Sequence, residues 1–249
     1  MSLRGSLQRK RNIGTVKDGG KEHSLSVIEI IHDSALPFVF ISAGIHGDEP
    51  AGVTALASFL KESAPSYARQ FNFIIFPLMN PVGRARDTRG NALGADLNRN
   101  FSAAVPHDEV HAAKQYLETL NQKFLCAIDL HEDPTDTAEP GFEAGDSPRG
   151  FYLYEVAPME RKKGEKITAH LATVGFPIAE EKTIYGDPCE SGVIFRPPVV
   201  PENREGSFDQ YLLRFAPHTL VFETPTCWEF EKRVAAHKKA LACALGTFA

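Results

Sequence analysis

The stretch that decides the fold is Pro37–Ser63, PFVFISAGIHGDEPAGVTALASFLKES. Its first seven residues are an apolar run rich in β-forming residues, and this run ends at Gly44. From Pro50 onward apolar residues recur at helical spacing, and proline is favoured at a first helical position because its missing N–H costs nothing there. The stretch therefore predicts a buried strand, a tight turn and an amphipathic helix.

Strand-like and helix-like segments continue to alternate along the chain. Strands that are apolar on both faces and alternate with helices are typical of a largely parallel sheet that helices cover. We therefore expect an α/β fold with three α/β/α layers around a mixed, largely parallel central sheet. The further predicted strands are Phe71–Leu78, Phe124–Leu130 and His218–Phe222, and the further predicted helices are His107–Leu120, Met159–Val174 and Trp228–Leu245.

Length and composition indicate a globular domain. The 249 residues, 43 % of them hydrophobic and 24 % charged, predict one domain over residues 1–249, in which residues 1–22 could be poorly ordered. The net charge of −5 argues against nucleic acid or an anionic membrane as the main partner. Neither a signal peptide nor an apolar run of about 20 residues is present, so we expect a cytoplasmic protein. Asp133–Arg149 and Tyr185–Gly206 are expected to be irregular surface stretches.

The turn after the first strand carries a histidine and a carboxylate. His46 and Glu49 lie three residues apart in HGDE, and this spacing lets an imidazole nitrogen and a carboxylate oxygen face one point. Zinc accepts both ligand types and takes three protein ligands at catalytic sites. The alternative is a glycine-rich turn in which Glu49 only stabilises the helix N-terminus.

Two more ionisable residues end core strands. His131 follows the third predicted strand, in DLHED, and Glu223 ends the fourth, in ETP. Ligands of parallel sheets usually sit beyond the carboxyl ends of the strands, so we expect both residues near His46. Asp129 is the expected partner that fixes the ring tautomer of His131, and desolvation should raise the pKa of Glu223 into a range useful for proton transfer. Each residue has a structural alternative, a strand-end histidine with satisfied hydrogen bonds and an acid that caps a turn.

The segment Asn80–Phe101 contains four arginines interleaved with glycine and asparagine. Arginine forms bidentate contacts with carboxylates and asparagine adds neutral hydrogen bonds, so the segment suits an anionic end of a substrate. The alternative is a solvated loop in which Asp87 and Asp96 pair with these arginines locally.

Taken in chain order, HGDE, NPxG, TRGNxxGxDLNRNF, DLHED and ETP resemble the zinc metallocarboxypeptidases. They also resemble the murein-peptide amidases and the succinylglutamate desuccinylase/aspartoacylase group, and the resemblance covers roughly Pro37–Thr226. It implies the three-layer fold of zinc carboxypeptidases and phosphorylase/hydrolase-like proteins. It also implies one Zn²⁺ per chain, bound by His46, Glu49 and His131. The implied function is zinc-dependent hydrolysis of a peptide or amide bond adjacent to a free carboxylate, in a small peptide or an acyl-amino acid.

The resemblance also implies roles for five other residues. Glu223 would be the general base and acid, and Arg89 would polarise the scissile carbonyl and stabilise the oxyanion. Asn98 and Arg99 would bind the terminal carboxylate of the substrate. Phe208 would line the side-chain specificity pocket, which indicates an apolar or aromatic side chain.

One position departs from the family pattern. The carboxypeptidases have a tyrosine that closes over the substrate, and Pro201 stands at its place here. Tyr185 and Tyr211 are the nearest tyrosines, and neither has the expected spacing from Ser207. The residues expected to shape the pocket instead are Arg196, Glu202 or Arg204.

Two other functions stay open at this point. One is an N-acyl amino-acid deacylase of the desuccinylase/aspartoacylase type, although the 26 residues after Glu223 are expected to be too few for the C-terminal β-domain of those enzymes. The other is a non-catalytic zinc- or peptide-binding homologue. The sequence gives no oligomeric state.

Overall fold

The computed structural model describes residues 7–134, 148–157, 162–196 and 206–249. The strands within these ranges are β1 (Leu7–Asp18), β2 (Lys21–Ile31), β3 (Phe38–Ala43), β4 (Asn72–Phe76), β5 (Cys126–Asp133), β6 (Tyr152–Val156), β7 (Thr183–Ile184), β8 (Asp187–Pro188), β9 (Val193–Arg196) and β10 (Thr219–Pro225). The helices are α1 (Pro50–Glu62), α2 (Ala64–Tyr67), α3 (Pro81–Arg86), α4 (Asp108–Leu120), α5 (Lys162–Thr173), α6 (Phe208–Leu212) and α7 (Phe230–Phe248), with a 3-10 helix at Leu97–Arg99.

A mixed sheet of eight strands, in the order β1-β2-β4-β3-β5-β10-β6-β9, forms the middle layer. The four central strands are parallel, because β3 pairs with β4 and β5, and β5 pairs with β10. Strands β2 and β6 join this group antiparallel. The predicted mixed, largely parallel sheet is confirmed, and it brings the carboxyl ends of β3, β5 and β10 to one edge.

Apolar side chains cover both faces of the sheet. On one face, α1, α5 and α7 pack over a core that includes Ile41, Leu130 and Phe222. On the other face, a second core includes Phe40 and Phe208, and α4 and α6 lie on this side. The predicted three-layer α/β/α arrangement is confirmed.

The N-terminal segment corrects an expectation. From Leu7 onward the residues expected to be poorly ordered form β1, which pairs with β2 from Leu7↔Ile31 to Asp18↔Lys21. Gly19 and Gly20 connect the strands with φ of 53° and 81°, the positive values that a two-residue hairpin turn of this kind needs. The Gly-Gly pair and the apolar alternation of β2 were the signals for this hairpin.

The two predicted irregular stretches are described only in part. Residues 135–147 and 197–205 lie outside the described residues. In the second stretch, β8 and β9 are strands, and β9 extends the central sheet beside β6. None of the helices that the structure describes combines the length and apolar character needed to cross a bilayer.

Candidate metal centre

His46, Glu49 and His131 meet at the carboxyl edge of the sheet. Nδ1 of His46 lies 2.6 Å from Oε1 of Glu49, and Nδ1 of His131 lies 3.0 Å from Oε2 of the same carboxylate. All three residues are buried, and one ligand atom from each lies within 4.8 Å of the others. The structure therefore brings together the three residues that the sequence predicted as metal ligands.

Glycines let the turn between β3 and α1 place the first two of these residues. Gly44 has a φ of 67°, and a Cβ added at Gly47 would lie 1.9 Å from the backbone carbonyl carbon of Gly83. Glu49 immediately precedes α1 but makes no side-chain capping bond. Instead, the backbone N–H of Ala51 donates to Glu132 at 2.6 Å. Glu132 thus stabilises the helix N-terminus, and the carboxylate of Glu49 faces the two imidazoles.

A carboxylate holds the far nitrogen of each imidazole. Nε2 of His131 lies 3.0 Å from Asp129, which in turn accepts a hydrogen bond from the Ser42 hydroxyl at 2.8 Å. Nε2 of His46 lies 3.2 Å from Asp96. The sequence predicted Asp129 as the partner of His131, but it predicted for Asp96 only local pairs with arginine. With a metal ion bound, each carboxylate would accept from Nε2–H and would leave the Nδ1 lone pair of each imidazole on the side of Glu49.

This arrangement fits a divalent metal ion. Two imidazole nitrogens and a carboxylate converge on one point, and this arrangement favours a positive charge between them. Burial opposes charge on His131, but the carboxylates of Asp129 and Glu49 outweigh it and raise the pKa of this imidazole well above its ordinary value. Burial likewise opposes ionisation of Glu49, but the two imidazoles lower its pKa. Two histidines and one glutamate are also a donor set that catalytic zinc uses.

Glu223 lies beside this centre. It is the register neighbour of His131 in the parallel pair of β10 and β5. Burial raises the pKa of its carboxyl group well above the ordinary value, and the negative charges of Glu49 and Asp133 add to this shift. The direction of this shift is the one that the sequence predicted.

The structure adds a hydroxyl–carboxylate cluster that the sequence did not predict. Asp133 accepts hydrogen bonds from Tyr185 at 2.6 Å and from Tyr152 at 2.8 Å. Tyr152 is also the register neighbour of Glu223 in the antiparallel pair of β6 and β10. The tyrosines come from separate loops and strands, so no local spacing indicated that they would meet Asp133.

Arg89 lies at the rim of the centre. Its Nε and Nη2 are both 3.2 Å from Oδ2 of Asp96, and its Nη1 is 3.7 Å from Oε1 of Glu49. The side chain is 32 % exposed, so it is partly accessible to solvent. This position suits the predicted contact with a substrate carbonyl oxygen.

The other three predicted substrate-binding residues differ in their surroundings. Arg99 is exposed, and its Nη1 donates to the carbonyl oxygen of Asn98 at 2.8 Å. Oδ1 of Asn98 accepts from the backbone N–H of Phe208 at 2.8 Å, so this oxygen positions α6. Phe208 is fully buried and stacks on Phe101 with ring centroids 4.6 Å apart. The predicted pocket-lining role of Phe208 is wrong, because its side chain belongs to the core beneath α6.

An ion pair on the opposite face of β5 supports the centre. Glu132 pairs with Arg233 of α7, and its backbone N–H donates to Oε2 of Glu49 at 3.1 Å. Burial raises the pKa of Glu132 to about 7. Sequence reasoning missed this pair because 101 positions separate its members. Of the residues proposed to replace the family's tyrosine, Arg196 is described, whereas Glu202 and Arg204, like Pro201 itself, lie outside the described residues.

The chain is similar to known proteins over part or nearly all of its length. The sequence profile of the succinylglutamate desuccinylase/aspartoacylase catalytic domain matches residues 35–153. Murein peptide amidase A of Escherichia coli (strain K12) is 44 % identical over 64 residues, which are 26 % of this chain and 25 % of that protein. The predicted resemblance to the metallocarboxypeptidase group is confirmed.

Solved structures extend the likeness to nearly the whole of this metallocarboxypeptidase-like chain. A candidate metallopeptidase from Shewanella baltica OS155 is 27 % identical with a TM-score of 0.76, covering 97 % of this chain and 87 % of that chain. A metallo-carboxypeptidase from Burkholderia cenocepacia has a TM-score of 0.65 at 18 % identity, covers 97 % of this chain and 66 % of that chain, and supports the fold alone.

Proposed function

We propose that the protein is a zinc-dependent hydrolase that cleaves a peptide or amide bond adjacent to a free carboxylate. One observation carries this proposal: two inward-facing Nδ1 atoms and the carboxylate of Glu49 converge beside the carboxyl group of Glu223. His46, Glu49 and His131 would hold the ion. When bound, zinc would polarise the scissile carbonyl and make an attacking water more acidic.

The residues around the ion divide the remaining work. Glu223 takes the proton of the attacking water and delivers it to the leaving amine, because its raised pKa suits both steps. Arg89 offers a guanidinium to the oxyanion that develops on the carbonyl oxygen. Asp129 and Asp96 hold the imidazoles in the tautomer that presents Nδ1.

The free carboxylate of the substrate is assigned to Arg99. Its guanidinium is exposed and uses one N–H on its own backbone segment, which leaves other donors for a ligand. Asn98 contributes through its amide nitrogen, because its oxygen already holds the backbone of Phe208. Replacing Arg99 should weaken the binding of substrates with a free carboxylate far more than the binding of amidated substrates. Equal losses of affinity for both would refute this assignment.

The relatives support small peptides or acyl-amino acids as substrates. A second candidate, an N-acyl amino-acid deacylase, has some support from the desuccinylase/aspartoacylase profile match over residues 35–153. Both candidates use the same metal and proton chemistry, and they differ in whether the acyl part is a peptide. A screen of dipeptides, murein peptides and acyl-amino acids separates them.

The experiment combines metal content with one conservative substitution. Purified protein should hold one zinc per chain, and His131→Ala should lose it. Glu223→Gln should keep the zinc and lose turnover by roughly a hundredfold or more on whichever substrate the screen identifies. Glu62→Gln, an exposed carboxylate on α1, is the matched control. Full turnover in Glu223→Gln would refute the general base, and stoichiometric zinc without any turnover would indicate a non-catalytic binding homologue.

A further inference from the structure

The N-terminal hairpin of β1 and β2 reaches the segment that carries Arg89 and Asp96. Asp18 ends β1 beside the hairpin turn, and Arg86 ends α3. Nε of Arg86 donates to Oδ2 of Asp18 at 3.1 Å, and Nη2 donates to the other oxygen of the same carboxylate. This two-pronged ion pair joins positions that lie 68 residues apart in the chain.

The same guanidinium also contacts the chain beyond α3. Nη1 of Arg86 donates to the carbonyl oxygen of Ala92 at 3.1 Å. Ala92 lies in the arginine loop (residues 87–96), between Arg89 and Asp96. One side chain therefore connects the hairpin, the end of α3 and the arginine loop.

The arginine loop folds into a turn around Asn91. The backbone N–H of Asn91 donates to the carbonyl oxygen of Ala95 at 3.0 Å, and its side-chain oxygen accepts from the backbone N–H of Ala95 at 3.1 Å. These bonds connect the part of the loop that carries Arg89 with the part that ends at Asp96. A displacement of the turn is therefore transmitted to both residues.

Apolar packing gives the hairpin a second contact with the arginine loop. A small buried cluster joins the hairpin to α3 and α4, and its members are Val16, Leu25, Val82 and Ala112. Ala92 packs against this cluster. The hairpin thus contacts Ala92 through apolar side chains as well as through Arg86.

The ion pair has a geometry that stability alone does not require. The side chains of Arg86 and Asp18 are 45 and 23 % exposed, and exposed ion pairs contribute little to the free energy of unfolding. A guanidinium with three ordered contacts instead fixes the relative positions of the groups that it joins. At the far end of the arginine loop, Asp96 lies 3.2 Å from Nε2 of His46.

We propose that Asp18 and Arg86 are positioning residues for the metal centre and for the proposed hydrolysis. They hold the arginine loop where Asp96 orients His46 and where Arg89 meets the carbonyl oxygen of the substrate. Small displacements of such groups are costly, because catalysis depends on their exact placement. The role assigned to Arg89 rests on the proposed function, whereas the role assigned to Asp96 requires only a bound metal ion.

Chelator competition for zinc tests the Asp96 part of the proposal without turnover. Asp18→Asn and Arg86→Met each remove the ion pair, and each should lower zinc affinity roughly three- to tenfold. Glu22→Gln is the matched control, because it breaks an exposed ion pair with Lys17 on the same hairpin and should leave the affinity unchanged. Wild-type affinity in both ion-pair variants would overturn this part of the proposal.

Steady-state kinetics at saturating zinc test the Arg89 part. On a substrate that the screen identifies, Arg86→Met should lower kcat roughly tenfold and leave KM within about threefold. This split is expected because a displaced Arg89 loses the developing oxyanion and not the bound ground state. A raised KM with an unchanged kcat, or wild-type values of both, would contradict the role assigned to Arg89.

Urea unfolding of the metal-free protein separates positioning from folding. Asp18→Asn should keep the unfolding midpoint of the wild type, because the pair is exposed. Arg86→Lys keeps the charge but cannot make three fixed contacts, so its zinc affinity and kcat should match those of Arg86→Met. Wild-type values in the lysine variant, or losses of zinc affinity that follow the unfolding midpoint, would refute positioning.

Ala92→Gly keeps the proposal testable if the ion-pair variants fold poorly. Glycine removes the methyl group that packs on the hairpin cluster and leaves Arg86 and Asp18 in place. The variant should lower zinc affinity and kcat in the same direction as Arg86→Met, by a smaller factor. Wild-type values of both quantities would count against the hairpin as a positioning element.

The two proposals fail separately. Lower zinc affinity in the ion-pair variants of a protein that hydrolyses no substrate would support positioning and refute the hydrolase. Hydrolysis that depends on zinc and Glu223, with wild-type kcat and zinc affinity in every ion-pair variant, would support the hydrolase and refute positioning.

Discussion

Replacing Arg233 with methionine tests the ion pair beneath the metal centre. The substitution keeps an unbranched side chain of similar length and removes the positive partner of Glu132. The Glu132 side chain is 0 % exposed and that of Arg233 is 14 % exposed, so water cannot substitute for the lost guanidinium. Glu132 also holds the N-terminus of α1 and the carboxylate of Glu49, so the change should affect both stability and metal binding.

The expected magnitude follows from the pKa of Glu132. Burial raises this pKa from 4.5 to about 7 even with Arg233 present. The pKa in the folded state exceeds that in the unfolded state, so the stabilising contribution is complete below pH 4.5 and is lost as the pH rises to about 7. Without Arg233 the pKa of Glu132 rises further, so the folded state continues to lose stability above pH 7. Each additional pH unit then costs about 1.4 kcal/mol, so the variant should lose about 2 kcal/mol more at pH 8.5 than at pH 7.

The assay is urea unfolding of the metal-free protein at pH 6, 7 and 8.5. Wild type, Arg233→Met, Glu132→Gln and the double variant form a cycle that isolates the coupling between the two side chains. In the Glu132→Gln background, the loss of unfolding free energy caused by Arg233→Met should not depend on pH, because the titrating carboxyl group is absent. Competition with a chelator should show a zinc affinity of Arg233→Met that is roughly ten- to a hundredfold lower.

Two results would refute this reasoning. An equal cost of Arg233→Met at pH 6 and pH 8.5 would show that the ionised form of Glu132 does not depend on Arg233. An unchanged zinc affinity would show that the pair stabilises the fold without positioning Glu49.

Three further predictions concern single side chains. Asp96→Asn should lower zinc affinity roughly ten- to a hundredfold while saturating zinc still gives full occupancy, which chelator competition measures; unchanged affinity would show that Asp96 does not orient His46. Phe208→Ala should destabilise the protein by about 3–5 kcal/mol in urea unfolding and leave the order of substrate preference unchanged, whereas a changed preference would restore Phe208 to the pocket. Burial lowers the pKa of His237 from 6.5 to about 3, so the folded state binds fewer protons and stability should fall by up to about 1.4 kcal/mol per pH unit below pH 6.5. His237→Gln should flatten this slope in urea unfolding between pH 4 and pH 7, and an unchanged slope would assign the acid sensitivity to other groups.

The central strands could be predicted because their local pattern and their burial agree. Strands β3, β4 and β5 are buried along almost their whole length, so they appear in the sequence as continuous apolar runs. The hairpin of β1 and β2 could not be recognised in the same way, because the first six residues of β1 are exposed and several are basic. Strands β6 and β9 have five and four residues, too few to show a period before the chain turns.

The parts of the candidate site that lie at the carboxyl ends of the parallel strands could be predicted from the sequence. His46, His131 and Glu223 follow or end parallel strands, and the topology brings such positions together whatever the details of packing. Asp96 was not assigned to His46, because that contact depends on how the loop before the 3-10 helix folds back over 50 positions. Family spacing placed Phe208 correctly along the chain, but spacing does not determine which way a side chain points from a short helix.

Alternation along β5 explains why one short strand can serve so many roles. All eight of its residues are buried, and successive side chains point to opposite faces. Asp129, His131 and Asp133 face the metal centre and the tyrosine pair, whereas Glu132 faces the helices and pairs with Arg233. A one-residue register shift would bury His131 among helices and bring Glu132 to the metal side, removing a ligand, its tautomer partner and the support of Glu49 together. The pairing of β5 with β3 and β10 therefore determines which acids face the candidate metal centre.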